Sequence, residues 1–172
     1  MQKHVTDSFT AIRRSTLEEQ VRFLLDRAEI ADVITRYGQS IDTLDFKMLR
    51  TCYVEHIDMD HEPTTNMARK VFSADEWCRL AQQFHTQLDG DEHILIPQTI
   101  VLDGDRAQCH VLMHANHFKR DVQGSPYQAL IGSYDLTLQR TEDGWKIAGS
   151  VQSVRWSEGN WQFHSDIARS LA

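Results

Sequence analysis

At 172 residues with 41% hydrophobic side chains, the chain is long enough for one domain with a single sizeable core and too short for two. Lys plus Arg total 18 against 25 Asp plus Glu, a net charge of -7, and no basic run accompanies them, so the main driving force for binding a phosphate backbone is missing. No window approaches the roughly 20 apolar residues of a membrane span, and the N-terminal MQKHVTDSFTAIRRS lacks an apolar core of signal-peptide type, so a cytoplasmic protein with neither nucleic acid nor membrane as partner is expected.

In chain order, Ser15 with Glu18 three residues on forms a capping-box pattern, and Leu17, Val21, Leu24 and Leu25 follow at helical spacing. A helix is therefore predicted from near Thr16. Asp26 with Glu29 repeats the pattern, so a break or a second helix is expected there, with Ile30, Val33, Ile34, Tyr37 and Ile41 on one inward face. "DTLDFKMLRTCY" predicts a short helix capped around Asp45, and "SADEWCRLAQQFHTQL" another opened by Ser73 with Glu76. Cys52, Cys78 and Cys109 are far apart, odd in number and outside any CxxC pattern, and read as small core residues.

Past residue 90 the period changes. "HILIPQTIVLDGDRAQCHVLMHANHFKRD" holds two apolar, β-branched runs around Asp103-Gly104-Asp105, a hairpin signal. "SPYQALIGSYDLTLQRTEDGWKIAGSVQSVRW" repeats the scheme with Glu142-Asp143-Gly144 as its turn. Helices followed by long antiparallel strands predict an α+β domain whose sheet curls around the helices and leaves a pocket on its concave side. Within the second long strand Ala107, Cys109, Val111, Met113 and Ala115 share one parity and face inward, and the same parity reaches His117; His110 and His114 fall on the other face. The HxxH in "HANH" thus puts His114 and His117 on opposite sides of a strand, and no metal site is expected. GxGxxG, P-loop and GxSxG motifs are absent from the sequence, which leaves nucleotide chemistry and a nucleophile elbow without support.

In this order, "RYGQSIDTLDFKMLRTCYVEHIDMDH", "DEHILIP" and "DGWKIAG" resemble the SnoaL-like branch of the nuclear-transport-factor-2-like superfamily over about residues 16–165. "SIDTLDFKMLRTCY" is similar to its Asp-x-x-Asp-aromatic-x-x-Leu segment, and "SVRWSEGNWQF" resembles the closing "RWGEFDF" of the scytalone dehydratases. The resemblance implies a cone: a curved, mixed or antiparallel sheet wrapped around N-terminal helices, the cystatin-type α+β barrel, with residues 1–172 as one domain. It further implies a catalytic dyad of Asp42 and His93, with Tyr37 and His117 as candidate acid or hydrogen-bond donors and no cofactor. Tyr53, His61, Met113, Asp135 and Arg155 are the candidate substrate-binding residues. Two pocket tyrosines of the scytalone dehydratases are replaced by Ile41 and His61, and a pocket asparagine falls near Asp135, so scytalone itself is not the expected substrate.

Residue by residue, a plainer reading competes. Asp42 at a helix end suits a turn former, Tyr37 a core aromatic, and His117 a satisfied buried histidine. The function expected is a cofactor-independent lyase, of dehydratase type, acting on a small, apolar, cyclic hydroxy or carbonyl compound. An isomerase or cyclase of the same fold, or a non-catalytic ligand-binding or assembly module, is the alternative. The family commonly pairs or trimerises through the outer sheet face, so a homo-oligomer is expected, with Leu112 and Leu136 on that face.

Overall fold

A computed structural model describes residues 12–170; the stretch MQKHVTDSFTA, read above for targeting signals, lies outside it. The first long helix, α1, runs unbroken over Leu17–Asp42. Its cap is Thr16 with Glu19, one residue beyond the expected pair: the Thr16 hydroxyl accepts from the Glu19 amide, and the Glu19 carboxylate accepts from the Thr16 amide at 2.8 Å. Ser15 bonds back to the Ile12 carbonyl instead. No break occurs at Asp26, because this residue is an anchor and not a cap. Its buried carboxylate accepts two bonds from Arg140, at 2.6 and 2.7 Å, and one from Trp145 Nε1 at 3.1 Å. The charge so neutralised joins an inward stripe of Phe23, Ile30, Val33, Ile34, Tyr37 and Ile41, while Leu17, Val21, Leu24 and Leu25 form a second, exposed stripe.

The last turn of α1 closes by bonds from the Asp45 amide to the Ser40 carbonyl at 2.8 Å and from the Leu44 amide to Ile41 at 3.0 Å, a Schellman pattern with Leu44 in the left-handed region at φ 56°. Asp45 then caps helix α2, Phe46–Thr51, by accepting from the Met48 amide, and Ser73 caps α4, Ala74–His85, by accepting from Glu76, both as expected. A short turn of helix, α3 (Glu62–Thr65), and a terminal helix, α5 (Trp161–Ser170), complete the described helices.

The strands are β1 (Tyr53–Asp60), β2 (Lys70–Ser73), β3 (Gly90–Asp103), β4 (Arg106–Phe118), β5 (Tyr127–Thr141) and β6 (Gly144–Gly159). They form one sheet in the order β2-β1-β6-β5-β4-β3, antiparallel except for β1 beside β6. Both expected hairpins are present, with Gly104 (φ 61°) and Gly144 (φ 95°) supplying the backbone that other residues rarely adopt. α1 packs across β3 and β6, so the core lies between this helix and the concave face. Ala107, Cys109, Val111, Met113 and Ala115 are buried in it, with His117 ending the row, and the three cysteines are free and buried.

Two facings differ from expectation. Leu136 pairs with Cys109 of the inward row and is itself buried, so it belongs to the core and not to an outer contact. β6 carries an extra residue opposite the Ile131–Gly132 step, where Ile131 pairs with Trp156 and Gly132 with Val154. Arg155 sits in that bulge and is exposed. A Cβ on Gly132 would lie 1.9 Å from the Ser153 carbonyl oxygen, which is why the bulge needs glycine there.

Candidate active site

The concave face and α1 enclose a cavity of about 470 Å³. Its floor is aromatic, from Tyr37, Tyr53, Trp77 and Tyr134, and one end carries the imidazoles of His85, His93 and His117. Asp42, the last residue of α1, stands behind His93 and not in the cavity lining. Its Oδ1 accepts from His93 Nδ1 at 2.8 Å and its Oδ2 from the His93 backbone amide at 3.1 Å. β3 is the sheet edge, so a carboxylate that caps one of its amides also satisfies a group no strand would reach. The close approach depends on Gly38, one turn before Asp42, whose position has His93 Cβ only 3.7 Å away and Leu95 at 3.2 Å from where a side chain would begin.

This bonding fixes the chemistry of the ring. An ionised carboxylate only accepts, so Nδ1 carries the proton and Nε2 keeps the lone pair. Burial alone would lower the His93 pKa, but the hydrogen bond to Asp42 and the charges of Asp91 and Asp42 outweigh it and hold the value above the ordinary 6.5. The ring is thus a stronger base than a buried histidine without such partners.

His117 differs. Its Nδ1 is 2.8 Å from Gln128 Oε1, and burial pulls its pKa down to about 4 despite the nearby Asp91, so the ring is neutral. His61, whose Nε2 is 2.9 Å from Ser150 Oγ, stacks on Tyr134 with centroids 5.4 Å apart and is pulled by burial to about 3. Tyr37 meets Tyr53 and Tyr134 edge-on at 6.3 and 6.1 Å, and burial, with the Tyr134 and Tyr53 hydroxyls, raises its pKa well above the ordinary 10. Tyr134 is pushed by burial up to about 12. These hydroxyls therefore stay protonated and can only be donors or neutral acceptors at ordinary pH.

Of the residues singled out in the sequence, Tyr37, Tyr53, His61, His93 and His117 line the cavity together, with Asp42 directly behind. Met113 is buried beneath the cavity against Gln152, not in its lining. Asp135 lies on the outer face, where it bonds His110 at 2.6 Å, and Arg155 is exposed, so neither reaches the cavity.

Two residues went unnoticed. Asp91 shares the parity of His93 and pairs across the strands with His117; its side chain is only 4% exposed. His85, ending α4, bonds Asp91 through Nδ1. Burial raises the Asp91 pKa, but the His85 bond and the charges of the three histidines overcome it and leave the value lowered. The alternation Asp91-x-His93 could have placed the carboxylate inside. Nothing local points to His85, whose role arises from how α4 packs.

Comparison with known proteins agrees with the fold. The family model of the SnoaL-like domain matches residues 22–150. Among solved structures, the Kfla4162 protein from Kribbella flavida is 23% identical with a TM-score of 0.76, covering 84% of this chain and 97% of its own. An NTF2-like protein with a cystatin-like fold from Novosphingobium aromaticivorans is 24% identical with a TM-score of 0.69, covering 92% and 97%. A candidate scytalone dehydratase from the same organism is 16% identical with a TM-score of 0.70, covering 80% and 89%. At such identities these likenesses establish fold only. No curated protein matches the chain. A curved six-stranded sheet closed by one long helix, together with a family match over most of its length, identifies the chain as a member of the SnoaL-like domain family with the nuclear-transport-factor-2-like, cystatin-type α+β fold.

Proposed function

We propose that the protein is a cofactor-independent lyase that eliminates water from a small, largely apolar cyclic hydroxy-carbonyl compound. The observation that carries this reading is the two-point bond between Asp42 and His93, which orients a raised-pKa imidazole at one end of an aromatic cavity. A volume of about 470 Å³ suits a one- or two-ring compound better than a polyphosphate or an oligosaccharide. The SnoaL-like family includes dehydratases, isomerases and cyclases, which agrees with proton-transfer chemistry.

In the proposed reaction, His93 Nε2 takes a proton from the carbon next to the carbonyl. The enolate oxygen accepts hydrogen bonds from the Tyr37 and Tyr134 hydroxyls, which remain protonated. The imidazolium, stabilised by Asp42, returns that proton to the departing hydroxyl on the same face, the carbon–oxygen bond breaks and water leaves. The base is regenerated and no electron acceptor is required. With its Nδ1 bonded to Gln128, neutral His117 contributes an acceptor and not the acid. Returning the proton to a different carbon would give isomerisation by the same dyad.

The test is turnover of a panel of cyclic β-hydroxy ketones, followed by the absorbance of the conjugated enone. Asp42→Asn and His93→Gln should each lower kcat by about 100-fold to 10,000-fold with little change in KM. Unchanged turnover in both variants would refute the dyad. We also propose self-association through the outer face of β3, where Ile94 and Ile96 are 47% and 53% exposed. Light scattering should give a dimer or trimer, and Ile96→Asp should shift it toward the monomer.

A further inference from the structure

The cavity end holds more chemistry than the dyad uses. Asp91 is buried with one oxygen, Oδ2, bonded to His85, whereas Oδ1 has no hydrogen-bond partner among the described residues. Two imidazoles face that oxygen at 3.6 Å, His93 through Nδ1 and His117 through Nε2, a distance too long for a hydrogen bond. One ligand atom from each of Asp91, His93 and His117 lies within 4.8 Å of the others. We propose that these three residues form a site for one divalent transition-metal ion of the zinc type, and that filling it withdraws His93 from proton transfer.

Spacing and orientation each point to a cation. Two ligands of a tetrahedral zinc, with bonds of about 2.0–2.2 Å, stand about 3.4 Å apart. The separation of Asp91 Oδ1 and His117 Nε2, 3.6 Å, is close to this, and a small ring rotation closes the remainder. Two of the ligands are also held from behind. Gln128 Oε1 accepts the Nδ1 proton of His117, which turns the Nε2 lone pair toward Asp91, and His85 holds the second oxygen of Asp91. Outer hydrogen bonds of this kind set tautomer and aim in metal-binding histidines. Asp91, His117 and Gln128 form one row across β3, β4 and β5, so their positions are fixed by strand register and not by a loop. Two imidazoles with one carboxylate favour a first-row transition ion over magnesium or calcium. The sequence expectation of no metal considered the HxxH pair on β4, whereas the ligands come from two adjacent strands.

Coordination and base catalysis exclude one another. A cation on Nε2 of His93 occupies the lone pair that would take the substrate proton, and a cation on Nδ1 breaks the bond to Asp42. The inhibitory part of the proposal rests on the base role proposed above; the binding part does not.

Calorimetric titration of the full chain with zinc, and the visible absorption of bound cobalt, test it directly. One equivalent of each ion should bind, with affinity at least 100-fold weaker in Asp91→Asn and in His117→Gln and unchanged in His114→Gln, whose residue lies on the outer face. Circular dichroism checks that the variants are folded. Zinc should abolish turnover by the wild-type protein, and a chelator should restore it. Absence of saturable zinc binding and of cobalt bands in the wild type would overturn the site, as would equal binding by Asp91→Asn and His117→Gln. Zinc binding without loss of turnover would overturn the inhibitory part alone. A metal-free protein that turns nothing over would count against the dehydratase reading, while calorimetry would still judge the cation site.

Discussion

Asp42 illustrates how much a single side chain can specify. By accepting from both the ring and the backbone amide of His93, it fixes tautomer, rotamer and the height of the strand against the helix. The same residue pair was legible in the sequence through its resemblance to the family. His117 was legible from strand parity alone. His85 was not, because a histidine at the end of an amphipathic helix finds its partner only through tertiary packing. The histidines also set a pH dependence whose parts oppose each other. His93 has a raised folded pKa, so its contribution to stability is complete below about pH 6.5 and is lost as pH rises through the folded value. For His117 and His61 the folded values are depressed to about 4 and about 3, so the unfolded chain binds more protons below pH 6.5 and stability falls as the pH is lowered. Urea denaturation between pH 7 and pH 4 should therefore show a loss of stability in the wild-type protein, reduced in His117→Gln by about 3 kcal/mol, the value of a shift from 6.5 to about 4.

At the level of elements, helix ends aim the site. The terminus of α1 is locked by a Schellman pattern with Leu44, a branched residue, in the left-handed conformation two positions after Asp42. Because glycine adopts that conformation without a steric penalty and the leucine is half-exposed, Leu44→Gly should raise stability by about 1 kcal/mol in chemical denaturation. At the other end, Asp26 ties α1 to β5 and β6 through Arg140 and Trp145. Asp26→Ala leaves the indole N–H unpaired and the guanidinium with Asp105 alone, and should cost about 3 kcal/mol in the same measurement. Cap chemistry read from sequence was right for α2 and α4 and one residue early for α1, where Ser15 with Glu18 and Thr16 with Glu19 offer two capping boxes in adjacent registers. Asp26 was misread for a related reason: a carboxylate before an apolar run looks like a cap until its distant arginine is known.

For the whole molecule, the change from helical to strand period near residue 90 and the two glycine turns were enough to specify a curled sheet on helices. The parallel pairing of β1 with β6 joins segments about ninety residues apart, with no turn to announce it. Bulges are equally silent, and the one at Arg155 turns a residue expected in the cavity out to solvent. Among the described residues no helix is long and apolar enough to cross a membrane. What the fold achieves is a largely aromatic chamber whose His93 is held from outside by the last residue of its longest helix. The most direct test is nitrogen-15 NMR of the His93 ring across pH, in the metal-free wild-type protein and in Asp42→Asn. The expected result is a neutral ring protonated at Nδ1 with a pKa above 6.5, falling when Asp42 is replaced; a ring protonated at Nε2, or a titration that Asp42→Asn leaves unchanged, would contradict the dyad.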